Sequence, residues 1–173
     1  MARTSLGVIG CGTIAQIQQM PSLAELEEES EVSVVCDISA EAAEYVARRF
    51  HVPRHVTDYR RVLDSDLDAV LLCHADPKFE VAMAAFDAGK HVFIEKPMCQ
   101  SLEQADALIA AAEQAGTQGQ VGYMKLFEPA FEMAQGEVAG MEDVRFVQIN
   151  HLHPSNELHV AQYRTKRFHD VPS

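Results

Sequence analysis

Hydrophobic residues in this chain fall into short unbroken runs, separated by stretches in which apolar side chains recur every three or four positions. Ser5 to Ile9 is an apolar run ended by Gly10 and predicts a strand; Val32 to Cys36, Val-rich and ended by Asp37, predicts another. Ala69 to Cys73 is apolar without alternation, the pattern of a strand covered on both sheet faces. His91 to Glu95 and Gln118 to Gly122 read as further strands, and Val56 marks a short one. Helical periodicity fills the intervals. Thr13 to Met20 predicts a helix, with Pro21 breaking or bending the chain just after it. Ala40 to Phe50 places Ala43, Val46, Ala47 and Phe50 on one face, with Ser39 as N-cap. Asp58 to Leu63 and Pro77 to Ala88 come next, the latter stopped by Gly89. Ser101 caps a helix to Ala115, with Gln104 as capping-box partner and Gly116 at its end.

Strand and helix in regular alternation imply right-handed crossovers and a doubly wound parallel sheet, an α/β architecture. The pattern changes after residue 122. Phe127 to Ala139 is helical, Val144 to Leu152 predicts a longer strand, and residues 154–173 show weak periodicity with a basic cluster of Arg164, Lys166 and Arg167. The expected division is a first domain over 1–122 and the beginning of a second, α+β domain over 123–173.

Charge narrows the function classes. Lys plus Arg number 14 and Asp plus Glu 26, a formal net charge of −12. That excess of acid argues against a nucleic-acid surface, which needs cations against phosphates, and against docking on an anionic membrane. No apolar run approaches the roughly 20 residues of a membrane span, and the first residues lack a signal-peptide core. Cys11, Cys36, Cys73 and Cys99 show no C-x-x-C spacing, so the expectation is packed free thiols in a reducing, cytoplasmic setting. His151, His153 and His159 read as a polar strand edge rather than a zinc site.

The segment Gly10-Cys11-Gly12-Thr13-Ile14-Ala15 fits G-x-G-x-x-G/A between a predicted strand and a predicted helix, the context in which that pattern binds a dinucleotide in a Rossmann unit. Gly10 permits the tight turn, Gly12 lets a pyrophosphate approach the backbone, and Ala15 lets helix and strand pack closely. Thr13 and Ile14 open the helix, whose free N–H groups and positive end suit phosphate. Asp37, at the end of the second strand, is placed to accept from ribose hydroxyls and to repel a 2′-phosphate, which favours NAD, with NADP open. An S-adenosylmethionine site shares these features and also stays open at this point.

Glu95-Lys96-Pro97 closes the fifth strand, where ligands of open α/β sheets bind. With Gly89-Lys90-His91-Val92-Phe93-Ile94 before it, and with Gly10 to Ala15, Cys36-Asp37, Asp68-Ala69-Val70 and Gly122-Tyr123-Met124, the chain resembles the Gfo/Idh/MocA oxidoreductases over roughly residues 4–150. The resemblance implies an NAD(P)-dependent enzyme acting on a small hydroxyl or carbonyl substrate such as a sugar or polyol. It implies that Lys96 is catalytic, hydrogen-bonded to the substrate oxygen beside the nicotinamide. It also implies that Glu95 positions, that the Lys96–Pro97 bond is cis and that the full-length form is a homo-oligomer; Tyr123 stands where the family contacts substrate and reads either as pocket-lining or as core. Pro97 itself restricts Lys96 to extended backbone angles. Cys73 and His74 stand in the loop after the fourth strand, which covers the cofactor in the family. There the family usually reads T-P-N-x-x-H, and this chain reads Cys73-His74-Ala75-Asp76-Pro77-Lys78. The family's second-domain Asp-x-x-x-His pair has no counterpart here, so a truncated enzyme is expected, without turnover by these residues alone. The other reading is a non-catalytic dinucleotide-binding sensor or regulatory protein on the same fold.

Overall fold

The computed structural model describes residues 3–75, 77–150 and 155–171. Each apolar run becomes a strand: β1 (Thr4–Ile9), β2 (Ser30–Cys36), β3 (His55–Val56), β4 (Ala69–Leu72), β5 (His91–Ile94) and β6 (Gly119–Val121). They form one six-stranded sheet in the order β3-β2-β1-β4-β5-β6, and every pairing is parallel. Parallel pairing needs long crossovers, and these carry helices α1 (Met20–Glu25), α2 (Ala40–Arg49), α3 (Arg60–Leu63), α4 (Phe79–Asp87) and α5 (Leu102–Ala115).

The two sheet faces explain the unbroken apolar runs. Ile9, Val34, Val70, Leu72, Val92 and Ile94 point to one side and pack with Phe86 and Ala85 of α4 and Leu108 of α5. Leu6, Val8, Val35 and Leu71 point to the other and meet Ala15, Met20 and the small face of α2, Ala42, Ala43, Val46 and Ala47. Both sets are buried, so alternation along a strand selects a layer rather than core against water. β1 lies between β2 and β4. The chain leaves β1 toward one edge and returns at β4 toward the other, which opens a crevice over the carboxyl ends of β1 and β4.

Ser39 caps α2, its hydroxyl accepting from Ala42 N–H at 2.9 Å. Ser101 caps α5 and accepts from Gln104 N–H at 3.3 Å. The Gln104 side chain reaches Gln100 N–H at 3.0 Å, one residue before the cap. Pro21 neither breaks nor ends its helix, which runs over residues 13–25. Ala15–Gln19 forms a wide π-helical turn in which Met20 N–H donates to Ala15 C=O, five residues back. The proline follows that turn at the start of α1, where a missing N–H costs little.

The chain divides into two compact units, residues 1–122 with 165–173, and residues 123–164. In the second, a 3₁₀ turn (Met124–Phe127) precedes α6 (Pro129–Ala139), and α7 (Asn156–Ala161) lies in the stretch of weak periodicity. The expected strand over Val144 to Leu152 is absent across 144–150, and its last residues fall outside those described. Phe146 and Ile149 are 80% and 84% exposed; strand-like sequence without a partner strand does not make a strand. His151 and His153 also lie outside the described residues.

Residues 165–171 belong to the first unit and are held to it at several points. The buried Gln16 side chain clasps Lys166, accepting from its N–H at 2.9 Å and donating to its C=O at 3.0 Å. Phe168 sits 5.5 Å from the Tyr45 ring, centroid to centroid. Asp170 accepts from Ser39 Oγ–H and from Glu41 N–H at the start of α2. Among the described residues no helix is long and apolar enough to cross a membrane.

Candidate functional site

The end of β1 must turn where the loop after β4 crosses close by. Gly10 takes φ +102°, and a Cβ there would stand 2.3 Å from His74 N and 2.7 Å from the Cys73 carbonyl carbon. The two loops therefore touch backbone to backbone, which glycine alone allows. Gly12 is the opposite case, with nothing within 4 Å of where a Cβ would lie. Over it opens a cleft of about 1010 Å³, lined by Gly10, Gly12, Thr13 and Ile14, by Asp37, by Cys73 and His74, and by Glu95, Lys96 and Pro97. Ala15 lies fully buried between the helix and the sheet. Tyr123 belongs to the second unit, is 51% exposed and is not among the lining residues.

Asp37 ties the glycine turn to α2. Its Oδ2 accepts from Cys11 N–H at 2.7 Å and its Oδ1 from Ser39 N–H at 2.9 Å. Glu95 is only 4% exposed; it accepts from Gln19 Nε2–H and, at 3.2 Å, from the Lys96 N–H. The Lys96–Pro97 peptide bond is cis, and Lys96 is an exposed residue on the cleft wall. Half-buried His74 has its Nε2 3.3 Å from Pro77 C=O, while its Nδ1 is buried with no hydrogen-bond partner among the described residues.

Several wall residues carried no sequence signal. Lys78 reads as a solvated residue before a helix, yet it is 4% exposed and its Nζ donates to Pro97 C=O at 3.0 Å. Gln19 sits far from Glu95 in sequence, and nothing in its neighbourhood marks the bond between them. The Tyr59–Arg60 pair lines the cleft near Asp37, with the guanidinium 4.7 Å over the Tyr59 ring and 3.5 Å from Asp58.

All four cysteines are free. Burial first, and then the Asp37 charge, pushes the Cys11 thiol far up and the Cys36 thiol to about 12. Cys73 is also raised to about 12, by burial and then by Glu95. These thiols stay protonated at neutral pH and are packing groups rather than nucleophiles.

Residues 4–123 match the oxidoreductase family with an NAD-binding Rossmann fold. Inositol 2-dehydrogenase of Paracoccus denitrificans is 32% identical over 143 residues, covering 78% of this chain and 42% of that protein. A 3-ketoreductase from Actinomadura kijaniata, solved in complex with NADP, superposes with TM-score 0.74 at 30% identity, over 80% of this chain and 44% of that one. Scyllo-inositol dehydrogenase from Lactobacillus casei, solved with NAD(H) and scyllo-inositol, shares the fold at TM-score 0.73 and 20% identity, over 80% of this chain and 41% of that one. The chain thus spans less than half the length of these relatives. A glycine turn under an open cleft, an acid after β2 and a Glu-Lys-Pro corner after β5 accompany the sequence match, and the chain belongs to the Gfo/Idh/MocA oxidoreductase family through its NAD-binding Rossmann unit.

Proposed function

We propose that this chain carries the cofactor-binding half of an NAD(P)-dependent dehydrogenase that interconverts a hydroxyl and a carbonyl on a sugar, polyol or related compound. One observation carries the reading: the Lys96 corner stands on the wall of the same cleft that opens over Gly12. The cleft fits a dinucleotide. The open space at Gly12 leaves room for a pyrophosphate, Thr13 and Ile14 offer the helix N-terminus, and Asp37 stands at the ribose position. When bound, the nicotinamide supplies hydride exchange with a substrate carbon.

The chain's own residues then have distinct tasks. Lys96 hydrogen-bonds the substrate oxygen, offsets the negative charge that develops there, and holds or releases a proton at its Nζ. Glu95 fixes the Lys96 backbone by accepting from its N–H and is itself held by Gln19. Lys78 fixes the far side of the corner through Pro97 C=O. The substrate class rests on the relatives, among them inositol 2-dehydrogenases. Residues beyond the Rossmann unit, Tyr123 among them, complete the substrate pocket, and the whole protein assembles as a homo-oligomer.

Calorimetric titration with NAD, NADP and S-adenosylmethionine tests the cofactor reading. Binding of a nicotinamide dinucleotide is expected; binding of S-adenosylmethionine alone overturns it. In the full-length protein, Lys96→Met is expected to lower kcat by about 100-fold or more while leaving dinucleotide affinity within a few fold. Retained turnover in that variant removes Lys96 from the chemistry.

A further inference from the structure

The returning segment 165–171 brings a carboxylate to the start of α2, just after the cleft residues Asp37 and Ile38. Ser39, the N-cap of α2, is held by two acids: its N–H donates to Asp37 Oδ1 at 2.9 Å and its hydroxyl donates to Asp170. The second oxygen of Asp170 accepts from Glu41 N–H at 3.2 Å, in the first turn of α2. The Ser39 hydroxyl holds the Asp170 carboxyl below the usual carboxylate range, so it is charged at neutral pH. Ile38, between Asp37 and Ser39, lines the cleft.

In a Rossmann unit the acid after the second strand meets the ribose 2′-hydroxyl, and in the phosphorylated cofactor a 2′-phosphate takes that place. Helix N–H groups at the start of α2 are the nearest backbone donors for such a phosphate. Here Ser39 N–H serves Asp37, Glu41 N–H serves Asp170 and Ala42 N–H serves Ser39 Oγ. The nearby cation, Arg60, lies on Tyr59 and faces Asp58 at 3.5 Å. Asp37 and Asp58 line the cleft beside Arg60, and Asp170 adds a carboxylate on Ser39, while Arg48, Arg49 and Lys166 gather with Glu41 on the neighbouring face of α2.

We propose that Asp170 is a cofactor-specificity residue. Delivered to α2 by the segment 165–171, it places a second fixed negative charge at Ser39 beside that of Asp37 and occupies the Glu41 N–H, which disfavours NADP against NAD. This rests on the dinucleotide reading above and adds a residue 131 positions from the Ser39 it meets. Gln16 and Phe168 set its position, one by clasping Lys166 and the other by packing on Tyr45.

The test is titration of the whole chain with NAD and with NADP at low salt, in the native sequence and in Asp170→Asn, Asp170→Glu and Phe168→Ala. Asparagine keeps an acceptor for Ser39 and removes the charge. In Asp170→Asn the NADP-to-NAD ratio of Kd is expected to fall by about fivefold or more. Asp170→Glu keeps the native ratio, and Phe168→Ala shifts it the same way as asparagine by loosening the segment. A ratio in Asp170→Asn within about twofold of native, or equal weakening of both dinucleotides, overturns the proposal. A native chain that binds neither dinucleotide sinks the dinucleotide reading itself, and the role of Asp170 with it.

Discussion

Gly10 has the least freedom of any residue at the site. Alanine there would combine a Cβ 2.3 Å from His74 N with φ +102°. Both the loop contact and the backbone conformation oppose it, so Gly10→Ala is expected to lose about 3 kcal/mol or more of stability by urea unfolding. A change below about 0.5 kcal/mol would show that the loops are not locked together. The thiols make a second prediction. Cys36 and Cys73 ionise near 9.0 when unfolded and near 12 when folded. The folded state holds more protons between those values, so their stabilising contribution is full below about pH 9 and drains away as pH rises toward 12. Stability should fall with pH above 9, and the slope should be shallower in a Cys36→Ala, Cys73→Ala double variant; equal slopes would refute the assignment. Gly10, Gly12, Asp37 and Lys96 were legible in the sequence because backbone approach and strand ends restrict which residues can stand there. Lys78 and Gln19 were not, because a lysine or glutamine beside a helix looks the same whether it is solvated or turned inward onto a carbonyl.

Strands and most helices were legible because each apolar run is just long enough to cross the sheet and each helix turns one small or apolar face to it. Helix 13–25 shows where such reading stops. Its proline predicts a break, yet the wide turn before it absorbs the missing donor, and no periodicity marks a π turn. The same turn carries Gln16, fully buried and bonded to both backbone groups of Lys166. Gln16→Leu keeps the volume and strips both of these bonds together with the one that Gln16 Nε2 donates to Cys11 C=O at 3.0 Å. It should cost about 1–3 kcal/mol and raise amide exchange across 165–171 more than in β1 or β4. Uniform exchange across those regions would mean that the clasp does not hold the segment.

At the scale of the molecule, the acidic surface and the Rossmann order follow from composition and pattern, whereas the fate of residues 144–150 does not. Val144, Phe146 and Ile149 give an imperfect strand-like alternation, but hydrogen bonding and burial come from neighbours, and across 144–150 no strand pairing forms and these side chains stay exposed. Exposed apolar side chains close together in sequence are an adhesive surface. The chain should therefore bind anilinonaphthalene sulfonate and associate as concentration rises, and a Phe146→Ser, Ile149→Ser double variant should lower both. Dye fluorescence unaffected by that change would place the adhesive surface elsewhere.

The two glycines of the opening turn differ in a way that makes one of them a tool. Empty space over Gly12 means that a Cβ can be added there without meeting a neighbouring atom, while the methyls of a valine would fill the room a diphosphate needs. Gly12→Val should melt like the native protein yet be blind to dinucleotide. It offers a folded, ligand-deaf control against which every other effect at this cleft can be calibrated.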